Sequence, residues 1–189
     1  MAFEDYKKKD NIVVVYTGEG KGKTSASIGL MARALGTGWS VAYIQFVKHW
    51  EVGEHKFIKQ IQPLFKEKLY FFKGGKGFYN AGEISAKDVS AKEHKQAAEE
   101  TLAETIKAIK SEKYQLVICD EINNSVHDGL LTEKQLEDLI DLAKNKVSLC
   151  LTGRDFPQNL VPKTDIATNM TKLKHHFDDK FIANPGIDF

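Results

Sequence analysis

A lysine and a threonine that follow three closely spaced glycines are the residues of this chain best suited to chemistry. Gly18, Gly20 and Gly22 allow backbone N–H groups to turn toward an anion without a Cβ atom in the way. Lys23 can place an ammonium group among phosphate oxygens, and the hydroxyl of Thr24 is a suitable ligand for Mg²⁺. The pattern predicts a site that binds the phosphates of a nucleotide together with a magnesium ion.

The flanking sequence supplies the elements that position these residues. Residues 12–16 are apolar and β-branched or aromatic, which favours a buried strand. After the glycines, apolar residues recur at the spacing of a helix with one buried stripe, at Ile28, Met31, Ala32 and Leu35. Strand, glycine turn, Lys-Thr and helix is the context of a phosphate-binding loop (P-loop). A glycine-rich turn with an incidental lysine is the competing interpretation.

This loop is shorter than the usual P-loop. Only three residues, Glu19, Gly20 and Lys21, separate Gly18 from Gly22, whereas the usual pattern has one more.

Length and composition predict one soluble domain over residues 1–189, with residues 1–10 as a flexible tail. The chain is 42% hydrophobic and 28% charged, which is ordinary for a globular protein. A net charge of +1 provides no field that would recruit nucleic acid or a membrane surface. Cys119 and Cys150 both lie in apolar runs, which favours buried thiols in a reducing, cytoplasmic compartment.

Further strands and helices predict an α/β fold. Strands are expected at residues 41–46, 69–72, 116–119 and 147–151, and a shorter one at 166–170. Capping-box patterns begin at Ser90 and Thr132, and amphipathic helices are expected to follow them and cover a sheet.

Charged side chains follow two of these strands. Asp120 and Glu121 come directly after the fourth strand, as in a Walker B element, where one carboxylate binds Mg²⁺ and the other orients a nucleophile or a ribose. Acidic residues are also common in ordinary turns. Arg154 follows the fifth strand; it could neutralise phosphate charge, pair with an acid, or simply be solvated.

Three other segments leave alternatives open. The loop after the second strand, with Gln45, Phe46, Lys48, His49, Trp50, Gly53 and Glu54, either borders the site or is an ordinary surface loop. Residues 73–80 are rich in glycine and are expected to form a mobile loop that buries little of itself, either a closing flap over a flat ligand or a disordered excursion. His175 and His176 lack companion ligands at metal spacing, which favours a structural role.

Seven short segments, in order, resemble those of the ATP:corrinoid adenosyltransferases of the P-loop type, and the resemblance covers residues 12–189. The segments are TGEGKGKT at 17–24, ARALG at 32–36, QFVK at 45–48 with Gly53-Glu54, Gly77-Phe78, CDE at 119–121, TGR at 152–154, and KHHFD with the terminal GIDF.

The resemblance implies a RecA-like, mostly parallel six-stranded sheet with helices on both faces, and a homodimer. It implies an enzyme that transfers the 5′-deoxyadenosyl group of ATP to the reduced cobalt of a corrinoid and releases triphosphate. In that family the shortened loop goes with ATP bound in reverse, and a flavoprotein is the expected reductant. The alternatives are an ordinary P-loop ATPase or small-molecule kinase, and a non-catalytic module that binds corrinoid or nucleotide.

The resemblance also assigns roles to residues. The triphosphate would be held by the loop and the residues that follow it: Gly18, Glu19, Gly20, Lys21, Gly22, Lys23, Thr24 and Ser25. Thr24 and Glu121, together with Asp120, would hold Mg²⁺. Arg33 and Arg154 would contact the nucleotide. Phe78, with Tyr79 beside it, would crowd the lower face of the corrin; Asn80 stands where many relatives have tryptophan.

Overall fold

A parallel β-sheet of six strands forms the centre of the protein in a computed structural model that describes residues 5–48, 50–77, 79 and 88–189. The strands are β1 (Val13–Thr17), β2 (Val41–Gln45), β3 (Leu69–Lys73), β4 (Leu116–Asp120), β5 (Ser148–Thr152) and β6 (Ile166–Asn169). Their order across the sheet is β3-β2-β4-β5-β1-β6, and every neighbouring pair is parallel. The predicted α/β fold with six strands is confirmed.

Five α-helices surround the sheet. They are α1 (Lys23–Gly36), α2 (Gly53–Phe65), α3 (Ala91–Lys110), α4 (Ile122–His127) and α5 (Glu133–Lys144). Short 3₁₀ turns occupy Lys66–Lys68, Gln158–Lys163 and His176–Asp179. Both predicted capping boxes are present, with Ser90 paired to Glu93 at the start of α3 and Thr132 paired to Gln135 at the start of α5.

The core has one layer on each face of the sheet. Helices α3, α4 and α5 pack with Val13 and Val15 on one face. Helices α1 and α2 pack with Val14 on the other. Because both faces are covered, the central strands β2, β4 and β5 are buried along their whole length, as parallel strands usually are. Helices on both faces are thereby confirmed.

The buried stripe of α1 differs from the predicted one. Ala32 is exposed, whereas Ala34 is buried together with Met31 and Leu35. The stripe is completed by Ser27, whose hydroxyl donates to the carbonyl of Thr24 at 2.8 Å and also hydrogen-bonds the Tyr43 hydroxyl. A satisfied polar side chain occupies a core position here, so hydrophobic periodicity alone gave the wrong phase.

Helices α2 and α4 were not predicted from the sequence. In α2 the buried residues are Ile58 and His55, and a histidine at a core position weakens the apolar pattern. Helix α4 has only six residues and begins directly after Glu121, whose φ of 63° makes a sharp turn out of β4. Neither feature follows a simple periodicity.

Both cysteines are free and buried, Cys119 in β4 and Cys150 in β5. In the described part of the chain, no helix combines the length and the apolar character needed to cross a membrane.

Candidate functional site

The candidate site lies at the edge of the sheet where β1, β4 and β5 end. Since β5 pairs with both β1 and β4, the loops that follow these three strands lie side by side. They are the P-loop after β1, the Asp120–Glu121 pair at the end of β4, and Gly153–Arg154 after β5. Ligand sites in open α/β sheets lie at this carboxyl edge.

The P-loop takes a conformation that glycine favours. Gly18 and Gly22 have φ angles of 99° and 107°, in the left-handed region where a Cβ atom would be strained. Gly22 is the N-cap of α1 and no side chain caps the helix; the first intrahelical bond runs from the Ala26 N–H to the Gly22 carbonyl. The N–H groups of the first turn are therefore suited to receive an anion.

The side chain of Lys23 folds back into the P-loop. Its ammonium donates to the carbonyl oxygens of Gly18 at 2.6 Å and of Gly20 at 2.7 Å. Burial, and then the nearby charge of Arg154, lower the pKa of Lys23. Both effects penalise an ammonium that has only carbonyl partners, so a phosphate oxygen at this position would be a better partner.

Asp120 organises the base of the site. It is fully buried and accepts hydrogen bonds from the hydroxyl of Thr152 at 2.7 Å, from that of Thr24 at 3.2 Å, and from the side-chain amide of Gln45 at 3.2 Å. These bonds join the ends of β2, β4 and β5 to the start of α1. The predicted closeness of Thr24 and Asp120 is confirmed.

Glu121 is directed toward the site but is only partly satisfied. Its N–H donates to the Thr152 hydroxyl at 2.9 Å, which fixes the turn after β4. Its side chain is 15% exposed, and Oε2 is buried without a hydrogen-bond partner among the described residues. Burial raises the pKa of Glu121 to about 7, although the ammonium of Lys48 opposes this change.

Lys48 brings the loop after β2 into the site. Its ammonium lies 2.6 Å from Oε1 of Glu54 and 3.8 Å from Oε1 of Glu121. Its N–H donates to Oε1 of Gln45 at 2.8 Å. These contacts favour the interpretation that the loop borders the site. His49, predicted as part of it, lies outside the described residues.

The oxygen atoms here fit Mg²⁺. Thr24 and Asp120 are in contact, and the unpartnered Oε2 of Glu121 lies beside them at the end of β4. Within the described residues, no group of three or more acidic, histidine or cysteine side chains could hold a metal ion by itself. That suits a cation bound by one or two carboxylates and completed by phosphate oxygens and water.

The remaining predicted residues differ in how close they lie to the loop. Arg154 pairs with Glu19 at 3.1 Å, and both side chains are more than half exposed. Ser25 is exposed in the first turn of α1. Arg33 is exposed in the last turn of α1, ten residues from Lys23, which corresponds to a rise of about 15 Å. Arg33 is thus not brought together with the P-loop.

The start of the glycine-rich loop is fixed to the sheet. The Gly74 N–H donates to the Gln45 carbonyl at 2.8 Å, and the Gly77 N–H donates to the Val47 carbonyl at 2.9 Å. Gly77 is buried, so the expectation that this segment buries little of itself is wrong there.

Glycine is required at two positions of this segment because the neighbours leave no room for a side chain. A Cβ atom on Gly74 would lie 1.9 Å from the Thr101 hydroxyl, and one on Gly75 would lie 2.1 Å from the Phe46 carbonyl oxygen.

Tyr79 packs inward. Its ring lies 5.2 Å from that of His94 on α3, and it contacts the core on that face. Phe78 and Asn80, predicted at the corrin-facing part of this loop, lie outside the described residues.

Sequence reasoning missed the roles of Thr152, Gln45 and Lys48 as partners of the two acids. The only signal for them is a polar side chain at or just beyond the end of a buried strand, which β2 and β5 both show.

Comparison with known proteins gives one consistent family. A family model described as "ATP:corrinoid adenosyltransferase BtuR/CobO/CobP" matches residues 9–189. A corrinoid adenosyltransferase of Sinorhizobium sp is 28% identical over 94% of this chain and 80% of its own length. Those of Pseudomonas aeruginosa (28%) and Escherichia coli K12 (27%) match 94% of this chain and 83% and 85% of theirs.

A solved structure, the flagellar accessory protein FlaH of Methanocaldococcus jannaschii, resembles this fold. It has a TM-score of 0.53 at 14% identity and covers 85% of this chain and 71% of its own. At this identity the similarity concerns the fold alone.

Proposed function

The chain belongs to the ATP:corrinoid adenosyltransferase family, whose members transfer the adenosyl group of ATP to the cobalt of a corrinoid, and on that premise we propose which of its residues perform the transfer. One observation carries the proposal. The P-loop threonine, Thr24, is hydrogen-bonded to Asp120 at the end of β4, and the unpartnered carboxylate oxygen of Glu121 lies next to it. Phosphate-binding and cation-binding groups therefore meet at one point of the sheet edge.

The triphosphate is held by the backbone of residues 18–22, by the N–H groups at the start of α1, and by Lys23. On arrival of the nucleotide, the Lys23 ammonium exchanges the carbonyls of Gly18 and Gly20 for phosphate oxygens. Arg154, paired with the exposed Glu19, is near enough to Lys23 to lower its pKa, and so supplies a second positive charge at the loop. Ser25 follows Thr24 on the exposed side of α1 and completes this set.

The reaction needs positioning more than acid–base catalysis. An electron pair on the reduced cobalt of the corrinoid substrate forms a bond to the ribose 5′-carbon of ATP, and the bond from that carbon to the triphosphate oxygen breaks. Negative charge grows on the departing triphosphate, and Lys23 and the loop amides stabilise it. For the 5′-carbon to face the corrin, ATP lies in the short loop in the reverse of the usual direction.

Mg²⁺ is held by Thr24 and Glu121, with Asp120 orienting the threonine hydroxyl. When bound, the ion neutralises part of the triphosphate charge. Lys48, paired with Glu54, keeps a positive charge beside Glu121 and favours its ionised form.

The corrin lies beside the glycine-rich loop, whose start is fixed by Gly74 and Gly75. Phe78 faces the lower side of the ring, and Tyr79 anchors the loop on His94. Arg33 is too far along α1 to reach a nucleotide in its own P-loop without a rearrangement, so its role in this site is the weakest of those implied by the family.

The protein acts as a homodimer in the cytoplasm and receives electrons from a flavoprotein. The two buried free thiols support a reducing compartment. Dimerisation is supported by large apolar side chains that are exposed after β6, namely Leu173 (96%), Phe177 (68%), Phe181 (64%), Ile182 (81%) and Ile187 (83%).

The function is tested by product analysis. The protein is incubated with ATP, Mg²⁺ and chemically reduced cobalamin, and the expected products are inorganic triphosphate and a light-sensitive alkyl-cobalt absorbance spectrum in equal amounts. Appearance of ADP without a spectral change would instead indicate an ordinary ATPase or kinase. Omission of Mg²⁺ and sedimentation of the purified protein test the metal and the dimer separately.

A further inference from the structure

The segment that follows β6 folds back over the P-loop. The Gly20 N–H donates to the carbonyl of Met170 at 2.6 Å. A Cβ atom on Gly20 would lie 2.7 Å from that carbonyl oxygen, and one on Gly18 would lie 2.1 Å from Oδ1 of Asn169. Two of the three loop glycines are thus in direct contact with residues 169–170, which leave no space for side chains there.

A second contact from the same segment reaches the loop through Asp188. Its Oδ1 lies 3.1 Å from the ammonium of Lys21, the residue between Gly20 and Gly22. The Asp188 side chain is 4% exposed, whereas that of Lys21 is 57% exposed. An enclosed carboxylate needs partners, since an unpaired buried charge is unfavourable. The lysine has its alternative in water, so the carboxylate is the fixed member of the pair.

Asp188 is held in place by a turn formed by residues 184–189. The Asn184 N–H donates to Oδ2 of Asp188 at 2.8 Å, and the Asp188 N–H donates to the Asn184 carbonyl at 2.8 Å. Gly186 has a φ of 81°, and its N–H donates to the carbonyl of Phe189 at 2.8 Å. These contacts within the turn fix the carboxylate independently of Lys21.

The surroundings of this turn connect two parts of the site. Nε2 of His175 and Nε2 of His176 lie 3.6 and 3.3 Å from the carboxylate oxygens of Asp188. At the other end, the carbonyl of Phe189 would lie 3.6 Å from a Cβ atom on Gly53, the first residue of α2. The next residue of α2, Glu54, pairs with Lys48. The turn therefore spans from the P-loop to the helix that carries the Lys48 pair.

We propose that Asp188 is a positioning residue for the nucleotide site, because its carboxylate holds Lys21 and thereby keeps the short loop between Gly18 and Gly22 in the shape that receives the triphosphate. The proposal rests on the proposed function, in which this loop binds ATP. A loop that is ordered before the ligand arrives loses less conformational entropy on binding, so the contact increases affinity without touching the reacting atoms.

Equilibrium binding of ATP to the full chain, without corrinoid, tests this. Asp188→Asn is expected to weaken ATP and inorganic tripolyphosphate binding about tenfold. The transfer rate at saturating ATP should change less than threefold, so the effect appears in KM. The matched control is Asp178→Asn, which removes an exposed carboxylate of the same segment 3.0 Å from Lys172 and should leave ATP affinity unchanged.

A double-mutant cycle with Lys21→Met separates positioning from simple fold stability. If Asp188 acts through Lys21, Asp188→Asn should cost no further ATP affinity in the Lys21→Met background. Additive losses, or a loss of rate with unchanged ATP affinity, would overturn the proposal, as would parental affinity in Asp188→Asn.

A milder variant covers the case in which Asp188→Asn does not fold. Gly186→Ala meets no neighbouring atom but forces a side chain into a left-handed conformation, so it disturbs the turn and keeps every charge. It should weaken ATP binding about threefold, and parental affinity would contradict the proposal. Parent protein that binds ATP but makes no adenosylated corrinoid would refute the proposed function and leave this inference standing.

Discussion

The ammonium of Lys48 lies 2.6 Å from Oε1 of Glu54, and the two side chains are only 13% and 14% exposed. Lys48 belongs to the loop after β2, and Glu54 to the first turn of α2. The pair therefore fastens the start of a helix to the sheet edge. The same ammonium faces Glu121 at 3.8 Å, so one lysine serves two enclosed carboxylates.

Replacement of Lys48 by methionine is expected to lower the free energy of unfolding by about 3 kcal/mol, because Glu54 and Glu121 would remain enclosed without a positive partner. Urea denaturation at pH 7 measures this. The control is Lys59→Met, which breaks the Lys59–Glu51 pair at side chains that are 60% and 46% exposed. That change should cost less than about 1 kcal/mol. Equal losses in the two variants would contradict the role of burial.

The carboxyl group of Glu121 should make stability depend on pH. Burial raises its pKa from 4.5 to about 7, so the folded chain keeps this proton to a higher pH than the unfolded chain does. The fold therefore loses stability as pH rises from about 4.5 to about 7. Glu121→Gln removes this loss, and its stability relative to the parent should rise across that range to a gain of about 3 kcal/mol above pH 7.

The measurement is denaturation from pH 4 to 8 without Mg²⁺ or ATP, since a bound cation would favour the ionised carboxylate. Glu99→Gln, on the exposed face of α3, is the control and should follow the parent throughout. A constant difference between Glu121→Gln and the parent would show that Glu121 does not titrate in this window.

The parts of this site that the sequence predicted depend on local chemistry. The P-loop follows from glycine spacing and from the strand and helix on either side, and Asp120 follows from its position at the end of an apolar run. The capping boxes at Ser90 and Thr132 were also predictable, because their partners are three residues away. Each of these signals lies within a few residues of the feature it specifies.

The parts that were missed depend on contacts distant in sequence or on polar residues in the core. Lys21 and Asp188 are 167 residues apart. Gly74 and Gly75 looked like parts of a mobile loop, because nothing nearby in sequence shows that Thr101 and Phe46 close around them. Ser27 and His55 take core positions in α1 and α2, so the hydrophobic period gave a shifted stripe in one helix and no helix in the other.

His55 should destabilise the protein in mild acid. Its side chain is buried against Phe71, and neither ring nitrogen has a hydrogen-bond partner among the described residues. Burial lowers its pKa from 6.5 to about 4. The folded chain thus keeps the ring neutral while the unfolded chain takes up a proton, so this contribution to stability is complete above pH 6.5 and is lost as pH falls toward 4.

His55→Leu should abolish that loss, which amounts to about 3 kcal/mol. Thermal unfolding of parent and variant at pH 7.5 and pH 5 measures it, and the two proteins should diverge only at the lower pH. His127→Leu is the control, because that ring is 57% exposed and pairs with the surface residue Asp155. A variant that loses as much stability as the parent between the two pH values would exclude His55 as the source.

Lys23→Ala is expected to reduce adenosyl transfer by more than a thousandfold, since its ammonium is the only one that donates to the P-loop carbonyls within the described residues. The fold should persist, because the side chain makes no contact with the core clusters. Activity under saturating substrates and far-ultraviolet circular dichroism check the two parts. Lys134→Ala, on the exposed surface of α5, should keep full activity. Transfer by Lys23→Ala within tenfold of the parent would contradict the phosphate role.

Gly75 should control corrinoid binding through the shape of the backbone. Its φ is 80°, and an added Cβ atom would lie 2.1 Å from the backbone oxygen of Phe46, which cannot move without disturbing the end of β2. Gly75→Ala is therefore expected to displace the start of the glycine-rich loop and to lower the free energy of unfolding by about 2 kcal/mol. Because this loop borders the corrin in the proposed site, the KM for reduced cobalamin should rise at least tenfold.

The affinity for ATP should remain close to that of the parent, since the P-loop lies on a different strand, β1. Gly29→Ala is the matched control: Gly29 lies within α1, an added Cβ atom there meets nothing within 4 Å, and the change should raise stability by about 1 kcal/mol without altering either substrate. Titration of each variant with ATP and with cobalamin separates the two sites. If Gly75→Ala weakened ATP binding as much as cobalamin binding, the loop would act on the fold as a whole and not on the corrin.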